Sequence, residues 1–153
     1  MASVAPAGNE RVPRIRDGIR VTSESHLGTT RAPARRRLLV VEDDADVREV
    51  LVDALRAEGY EVAAAKNGRE ALSLLAAGPI PDAIVLDLLM PVMNGWEFRE
   101  AQLRDTALAR IPVIVVSASS PGPIGTSVHL VKPFELATLL AAVERVAERA
   151  PRS

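Results

Sequence analysis

The sequence contains no cysteine, which excludes disulfides, thiol nucleophiles and Cys-ligated metal sites. Histidine is nearly absent. His26 and His129 are the only two, too few for a multi-histidine metal centre. Aromatic residues make up 3% of the 153-residue chain, so it has no array of rings on which nucleic-acid bases could stack. No apolar run approaches the roughly 20 residues that span a bilayer. The N-terminus has no apolar core behind its basic residues, unlike a secretory signal. The net charge of −1 offers neither the basic excess of a nucleic-acid binder nor the acidic excess of a solvating tail. What is present is globular composition, 48% hydrophobic and 25% charged. The expectation is a cytoplasmic protein with one domain of ordinary size.

The near-neutral total hides an asymmetry. Residues 1–37 carry eight arginines against Glu10, Asp17 and Glu24, a net +5, while the remainder carries −6. The first segment also holds Pro6, Pro13 and Pro33 and shows no apolar period. Such a segment buries too little surface to offset its ordering entropy. We therefore expect residues 1–36 to be a disordered, Arg-rich tail and residues 37–150 to be the folded domain. The tail reads either as an electrostatic arm for a partner, nucleic acid or the domain's own acidic face, or as a solvated leader with no role.

From Leu38 the pattern becomes regular. Leu38–Val41 is a continuous apolar run, as in a strand buried on both faces. Val47, Val50, Leu51, Ala54 and Leu55 follow at helical spacing, and Gly59 stands at a C′ position. Glu61–Lys66 reads as a second strand, and Asn67 with Glu70 opens a helix through Ala77. Ala83–Leu86 is a third strand ending at Asp87, and a helix lies near Trp96–Asp105. Pro112–Val116 and Val128–Val131 are the fourth and fifth strands. Leu136, Leu139, Leu140, Val143 and Val146 mark one face of a last helix. Strands alternating with helices predict an α/β fold with a parallel sheet and right-handed crossovers.

Ligands of such sheets collect outside the carboxyl ends of the strands. There the chain places Glu42, Asp43 and Asp44, then Asp87, Ser117, and Lys132 before Pro133. Crowded carboxylates repel and cannot all stay ionised unaided. A hard divalent cation relieves the repulsion, and few carboxylates with room for water suit Mg²⁺ better than a caged Ca²⁺. Lysine and serine suit the oxygens of a transferring phosphoryl group, and an aspartate can act as its nucleophile. Lys132 is one of two lysines against 17 arginines, so a compact ammonium at this position carries information. Asp44 is read as the cap of the first helix. Together the residues point to metal-assisted phosphoryl transfer onto a carboxylate.

Four segments carry a resemblance to a known family: Leu38–Asp44 (LLVVEDD), Ile84–Gly95 (IVLDLLMPVMNG), Ile111–Ala118 (IPVIVVSA) and Val131–Phe134 (VKPF). In this combination the chain, from about residue 36 to 149, resembles the receiver domain of two-component response regulators. The resemblance implies a flavodoxin-like, doubly wound five-stranded sheet of order 2-1-3-4-5. It implies Asp87 as phosphoacceptor and Mg²⁺ as cofactor. Asp43 would ligate the metal directly, Glu42 through water, and the Leu89 backbone carbonyl would complete the site. Ser117 and Lys132 would bind the phosphoryl group, and the Lys132–Pro133 bond would be cis. The implied partners are a histidine kinase or histidine phosphotransferase and a downstream protein target. Membrane and nucleic acid are not among them.

Two features depart from the family pattern. Ser117 and Lys132 are 15 positions apart, closer than the family's spacing, and the intervening ASSPGPIGTS has no helical period. The fourth helix is expected to be shortened or missing. Three residues before the lysine, where the family often has Tyr or Phe, stands His129. It reads either as a switch residue of altered chemistry or as a strand histidine without that role. The chain stops at Ser153, soon after the last helix, so signalling is expected through protein contacts without a DNA-binding output domain. The protein is expected to be a self-phosphorylating switch and not an enzyme. The alternative is a pseudo-receiver, a binding module that is not phosphorylated. A haloacid-dehalogenase-type phosphatase needs a second aspartate where this chain has Leu89. A dinucleotide site fails because no G-x-G-x-x-G follows the first strand.

Overall fold

Alternate residues of each central strand face opposite sides of one sheet, and both sides are covered. In the computed structural model this shows as two apolar clusters. The structure describes residues 14–16, 19–21, 35–118, 122, 124–126 and 128–149. In chain order the elements are β1 (Arg14–Arg16), β2 (Ile19–Val21), β3 (Arg37–Val41), α1 (Ala45–Ala57), β4 (Glu61–Ala65) and α2 (Gly68–Ala77). They continue with β5 (Ala83–Asp87), α3 (Gly95–Arg104), β6 (Val113–Ser117), β7 (Val128–Val131), β8 (Phe134–Glu135) and α4 (Leu136–Arg149).

The main sheet has the order β4-β3-β5-β6-β7, parallel throughout. This is the predicted doubly wound arrangement. Leu38 and Val40 of β3 join Leu51 and Leu55 of α1 and Leu139 and Val143 of α4 in one cluster. Leu39 and Val41 turn the other way, to Ala71 and Leu75 of α2 and Phe98 of α3. Each fully buried aliphatic side chain contributes about 1.5–3 kcal/mol relative to exposure.

Local signals set the helix starts. The Asp44 carboxylate accepts from the N–H groups of Asp46 (2.9 Å) and Val47 (3.1 Å) and caps α1 as read. Asn67 caps α2 through Glu70 N–H. Asn94 and Glu97 form a reciprocal capping box on α3, which starts one residue earlier than the sequence suggests. Gly59 has φ +99° just past α1, the left-handed geometry that glycine adopts without penalty.

Among the described residues no helix lies between β6 and β7, as the spacing predicts. Ile124, buried in the cluster over α2 and α3, fills part of the place such a helix would cover. The connection is fastened by side chains. Arg99 of α3 donates to the carbonyls of Ile124 (3.4 Å) and Gly125 (2.8 Å). Thr126 donates its hydroxyl to the Val113 carbonyl (2.6 Å).

The N-terminal region, expected to be a disordered tail over residues 1–36, contains β1 and β2, which the sequence reading did not anticipate. They form a small second sheet with β8, of order β1-β2-β8. Arg36 approaches Asp82 and Glu148, each at 3.8 Å. The remainder of the segment before residue 35 lies outside the described residues.

Gln102 anchors the turn between α3 and β6. It is fully buried and donates to the carbonyls of Leu108 (2.8 Å) and Ile111 (3.0 Å) while accepting from Arg99 (2.7 Å). Gln102→Leu keeps the volume and loses all three bonds. It should destabilise the domain by about 2–3 kcal/mol in urea titration. Leu103→Gln, on the exposed face of the same helix, should stay within about 0.5 kcal/mol.

Candidate functional site

The parallel register brings four strand ends to one edge of the sheet. Val41 pairs with Leu86, Asp87 with Val116, and Ser117 with Val131. The residues at or just past these ends are therefore neighbours in space. Glu42 is held by its N–H bond to the Ala65 carbonyl (3.0 Å). Arg48, in the second turn of α1, donates to the carbonyls of Glu42 (2.8 Å) and Asp43 (3.3 Å). This clamp was not apparent from the sequence, since nothing marks one arginine among 17.

Side-chain oxygens of Glu42, Asp43 and Asp87 lie within 4.8 Å of one another. Glu42 is 1% exposed and Asp87 5%, while Asp43 is open to solvent. Lys132 Nζ sits 3.1 Å from Glu42 Oε1 and 3.9 Å from Asp87 Oδ1. Its backbone N–H donates to the Ser117 carbonyl (2.8 Å). Ser117 itself is fully buried. The Lys132–Pro133 bond is cis.

The Leu89 side chain points outward, 58% exposed, and its backbone N–H bonds the Asp87 carboxylate. His129 lies on β7 opposite Val115. Its Nε2 is buried without a hydrogen-bond partner among the described residues. Its nitrogen is not among the ligand atoms gathered around Asp87.

The loop after β5 is tightly folded. A Cβ on Gly95 would stand 2.6 Å from the Asp87 carbonyl oxygen and 2.7 Å from Leu88 Cα. No side chain fits there, and α3 packs directly behind the strand end that presents Asp87. Val92, in the same loop, has φ 69°, a strained geometry for a β-branched residue. Sequence reasoning missed this strain, because valine carries no signal for it.

Burial dominates the electrostatics. It pushes Glu42 up to about 7, with the Asp87 charge adding to the shift and Lys132 opposing it. Asp87 is raised as well, by burial, against the pull of Lys132 and of hydrogen bonds from Glu42 and Leu89. One ammonium cannot balance three carboxylates. Two buried oxygen donors and one exposed donor, with excess negative charge, fit a hard divalent cation of the Mg²⁺ type.

Residues 38–144 match the model of the response regulator receiver domain. The chain belongs to that family. Among curated relatives, Response regulator MprA of Mycolicibacterium vanbaalenii is 41% identical over 120 residues, covering 74% of this chain and 51% of the relative. Transcriptional regulatory protein PrrA of Mycobacterium tuberculosis is 43% identical over 121 residues, covering 74% and 50%. The chain thus spans about half the length of the curated relatives it matches.

Solved receiver structures agree with the fold. The receiver domain of a signal transduction histidine kinase from Syntrophus aciditrophicus superposes with TM-score 0.71 at 30% identity, covering 77% of this chain and 94% of that one. Chemotaxis response regulator CheY4 of Vibrio cholerae gives 0.68 at 33%, covering 74% and 99%. The receiver domain of sensor kinase PA1611 from Pseudomonas aeruginosa, described with a magnesium ion in its active-site cleft, gives 0.69 at 26%, covering 75% and 99%. This receiver domain is a component of two-component signalling. Among its described residues no helix is long and apolar enough to cross a membrane.

The raised carboxyls make the metal-free receiver sensitive to pH. Between the ordinary carboxylate value and about 7, the folded state holds protons that the unfolded chain has released. Stability contributed by this cluster therefore falls as pH rises through that window and levels off above it. In EDTA, the melting temperature should drop from pH 5 to pH 8 by on the order of 5 °C. Asp87→Asn should flatten the slope and raise the melting temperature at pH 8. An unchanged slope in the variant would contradict the electrostatic account.

Proposed function

We propose that Asp87 accepts a phosphoryl group, with Mg²⁺ as cofactor, and that the receiver thereby acts as a cytoplasmic switch working through protein contacts. The observation that carries this reading is the position of Asp87, a buried carboxylate with Lys132 Nζ at 3.9 Å and a second and third carboxylate alongside. Asp43 and Asp87 would hold the cation directly, Glu42 through water, and the Leu89 carbonyl would complete the set. When bound, the cation supplies charge neutralisation for the attacking carboxylate and the transferring oxygens.

The donor is a phosphohistidine on a histidine kinase or histidine phosphotransferase. A carboxylate oxygen of Asp87 attacks phosphorus in line. The P–N bond breaks, its electrons stay on the imidazole, and an acyl phosphate forms on Asp87. Lys132, which lies 3.1 Å from Glu42, turns its ammonium to a phosphoryl oxygen, and Ser117 donates its hydroxyl to another. Water later attacks phosphorus, releasing inorganic phosphate and restoring the carboxylate. The chain consumes its own modification and turns over no external substrate, so it is a switch and not an enzyme in the usual sense. His129 is proposed as a residue whose ring responds to the filled site.

Intact-mass measurement after incubation with Mg²⁺ and acetyl phosphate should show one added phosphoryl group. Asp87→Asn or excess EDTA should abolish it. Lys132→Ala should slow labelling by about tenfold or more while Mg²⁺ binding persists. A wild-type protein that binds Mg²⁺ and never gains the adduct would instead be a pseudo-receiver.

A further inference from the structure

Asp87 and Ser117 take their places from strand pairing, opposite Val116 and Val131. Glu42 is tied to the neighbouring strand by its N–H bond to the Ala65 carbonyl (3.0 Å). Asp43 is placed differently. It lies beyond the end of β3 at Val41 and is open to solvent. A carboxylate oxygen of Asp43 nevertheless stands within 4.8 Å of oxygens of Glu42 and Asp87. Its aim therefore comes from outside the sheet.

Arg48, the fourth residue of α1, is half-buried. Its Nη1 donates to the carbonyls of Glu42 (2.8 Å) and Asp43 (3.3 Å). These carbonyls belong to the peptide planes on either side of the Asp43 Cα. Each plane is rigid, so holding both sets the direction of the Asp43 Cα–Cβ bond. Arg48 is itself held in place. Its backbone N–H bonds the Asp44 carbonyl (2.9 Å), and the Asp44 carboxylate caps the helix through Asp46 and Val47. The Asp44 N–H in turn donates to Glu42 Oε2 (3.2 Å). Helix start, guanidinium and acidic pair thus form one connected set of hydrogen bonds.

A guanidinium in this place has two opposed effects on a cation. Its charge repels any cation bound at the cup. Its hydrogen bonds pre-order the groups that bind the cation, and such outer partners change metal affinity by about 10–100-fold. We propose that Arg48 is a positioning residue for the cation site, and that its clamp on the Glu42 and Asp43 carbonyls favours divalent-cation binding by more than its charge opposes it. The inference rests on the reading of Glu42, Asp43 and Asp87 as the cation site. The clamp acts by removing the cost of ordering exposed Asp43 when the cation arrives.

The sign of the effect separates positioning from charge. Magnesium chloride titrated into the metal-free full chain, followed by amide NMR shifts, gives Kd. Arg48→Met keeps an apolar stem and removes both donors and charge. It should raise Kd by about tenfold, whereas loss of the charge alone would lower it. Arg48→Lys keeps the charge on a side chain that ends one bond earlier and has no fork. It should raise Kd as well, by about threefold or more, whereas a charge effect alone would leave it unchanged.

A Kd for folded Arg48→Met at or below the wild-type value overturns the proposal and leaves the cation site standing. Should that variant fail to fold, a wild-type Kd in Arg48→Lys overturns it in the same way. Wild-type protein without saturable Mg²⁺ binding overturns both. Hydrogen exchange in EDTA is a second measurement, independent of the metal. The Asp44 amide should exchange faster in both variants relative to that of Val85 at the centre of β5. An unchanged ratio overturns the clamp.

Discussion

The structure depends on an unfavourable arrangement, two carboxylates buried side by side with a single ammonium between them. Glu42 and Asp87 are almost wholly removed from solvent, and Lys132 touches both. Burial raises both carboxyls despite that lysine. A folded domain keeps such a cluster only where surrounding elements over-determine it. The determinants are visible. Four parallel strand ends are locked in one register, Arg48 holds the carbonyls of the first acidic loop, and α3 packs so closely behind Asp87 that only glycine fits at position 95. The strain is stored by hydrophobic burial on both faces of the sheet, far from the charges themselves.

That arrangement explains why the site responds to charge. Its electrostatic balance is incomplete without added positive charge, so cation binding and proton uptake act on the same groups. Of the three carboxylates, Asp43 is the one open to solvent. Lys132 is tethered at its backbone to the Ser117 carbonyl, so its ammonium can change partners without the strand end losing its place. A side chain shared between two acids, on a fixed backbone, is the simplest bistable element the geometry offers.

Much of this was legible in the sequence, for a physical reason. Apolar runs of strand length and helical spacing report burial, so the strands and helices follow from LLVV, AIVL and VIVV and the helix faces between them, while the strand order followed from the resemblance to the receiver family. Strand-end polar residues are legible because a parallel sheet gathers them at one edge. Asp44 and Asn67 announced their helices as short side chains that accept from free N–H groups. What escaped was information carried by backbone geometry or by contact across long separations. The Arg48 clamp, the Gln102 anchor and the left-handed Val92 have no local signature. The β1–β2 pairing did have one, Asp17-Gly18 flanked by RIR and IRV, but it was masked by the arginine content that made the region read as a tail.

The shortened connection between β6 and β7 changes what this receiver can present to others. A helix in that position would cover the sheet beside α3 and offer a surface of its own. Here Ile124 fills part of that cover while Arg99 and Thr126 hold the loop to α3 and to the start of β6. An arginine whose fork binds two loop carbonyls and Gln102 costs several hydrogen bonds to displace, so this side of the domain is fastened. The opposite end of β7 is different. There the chain passes from Lys132 into β8, which runs parallel to β2.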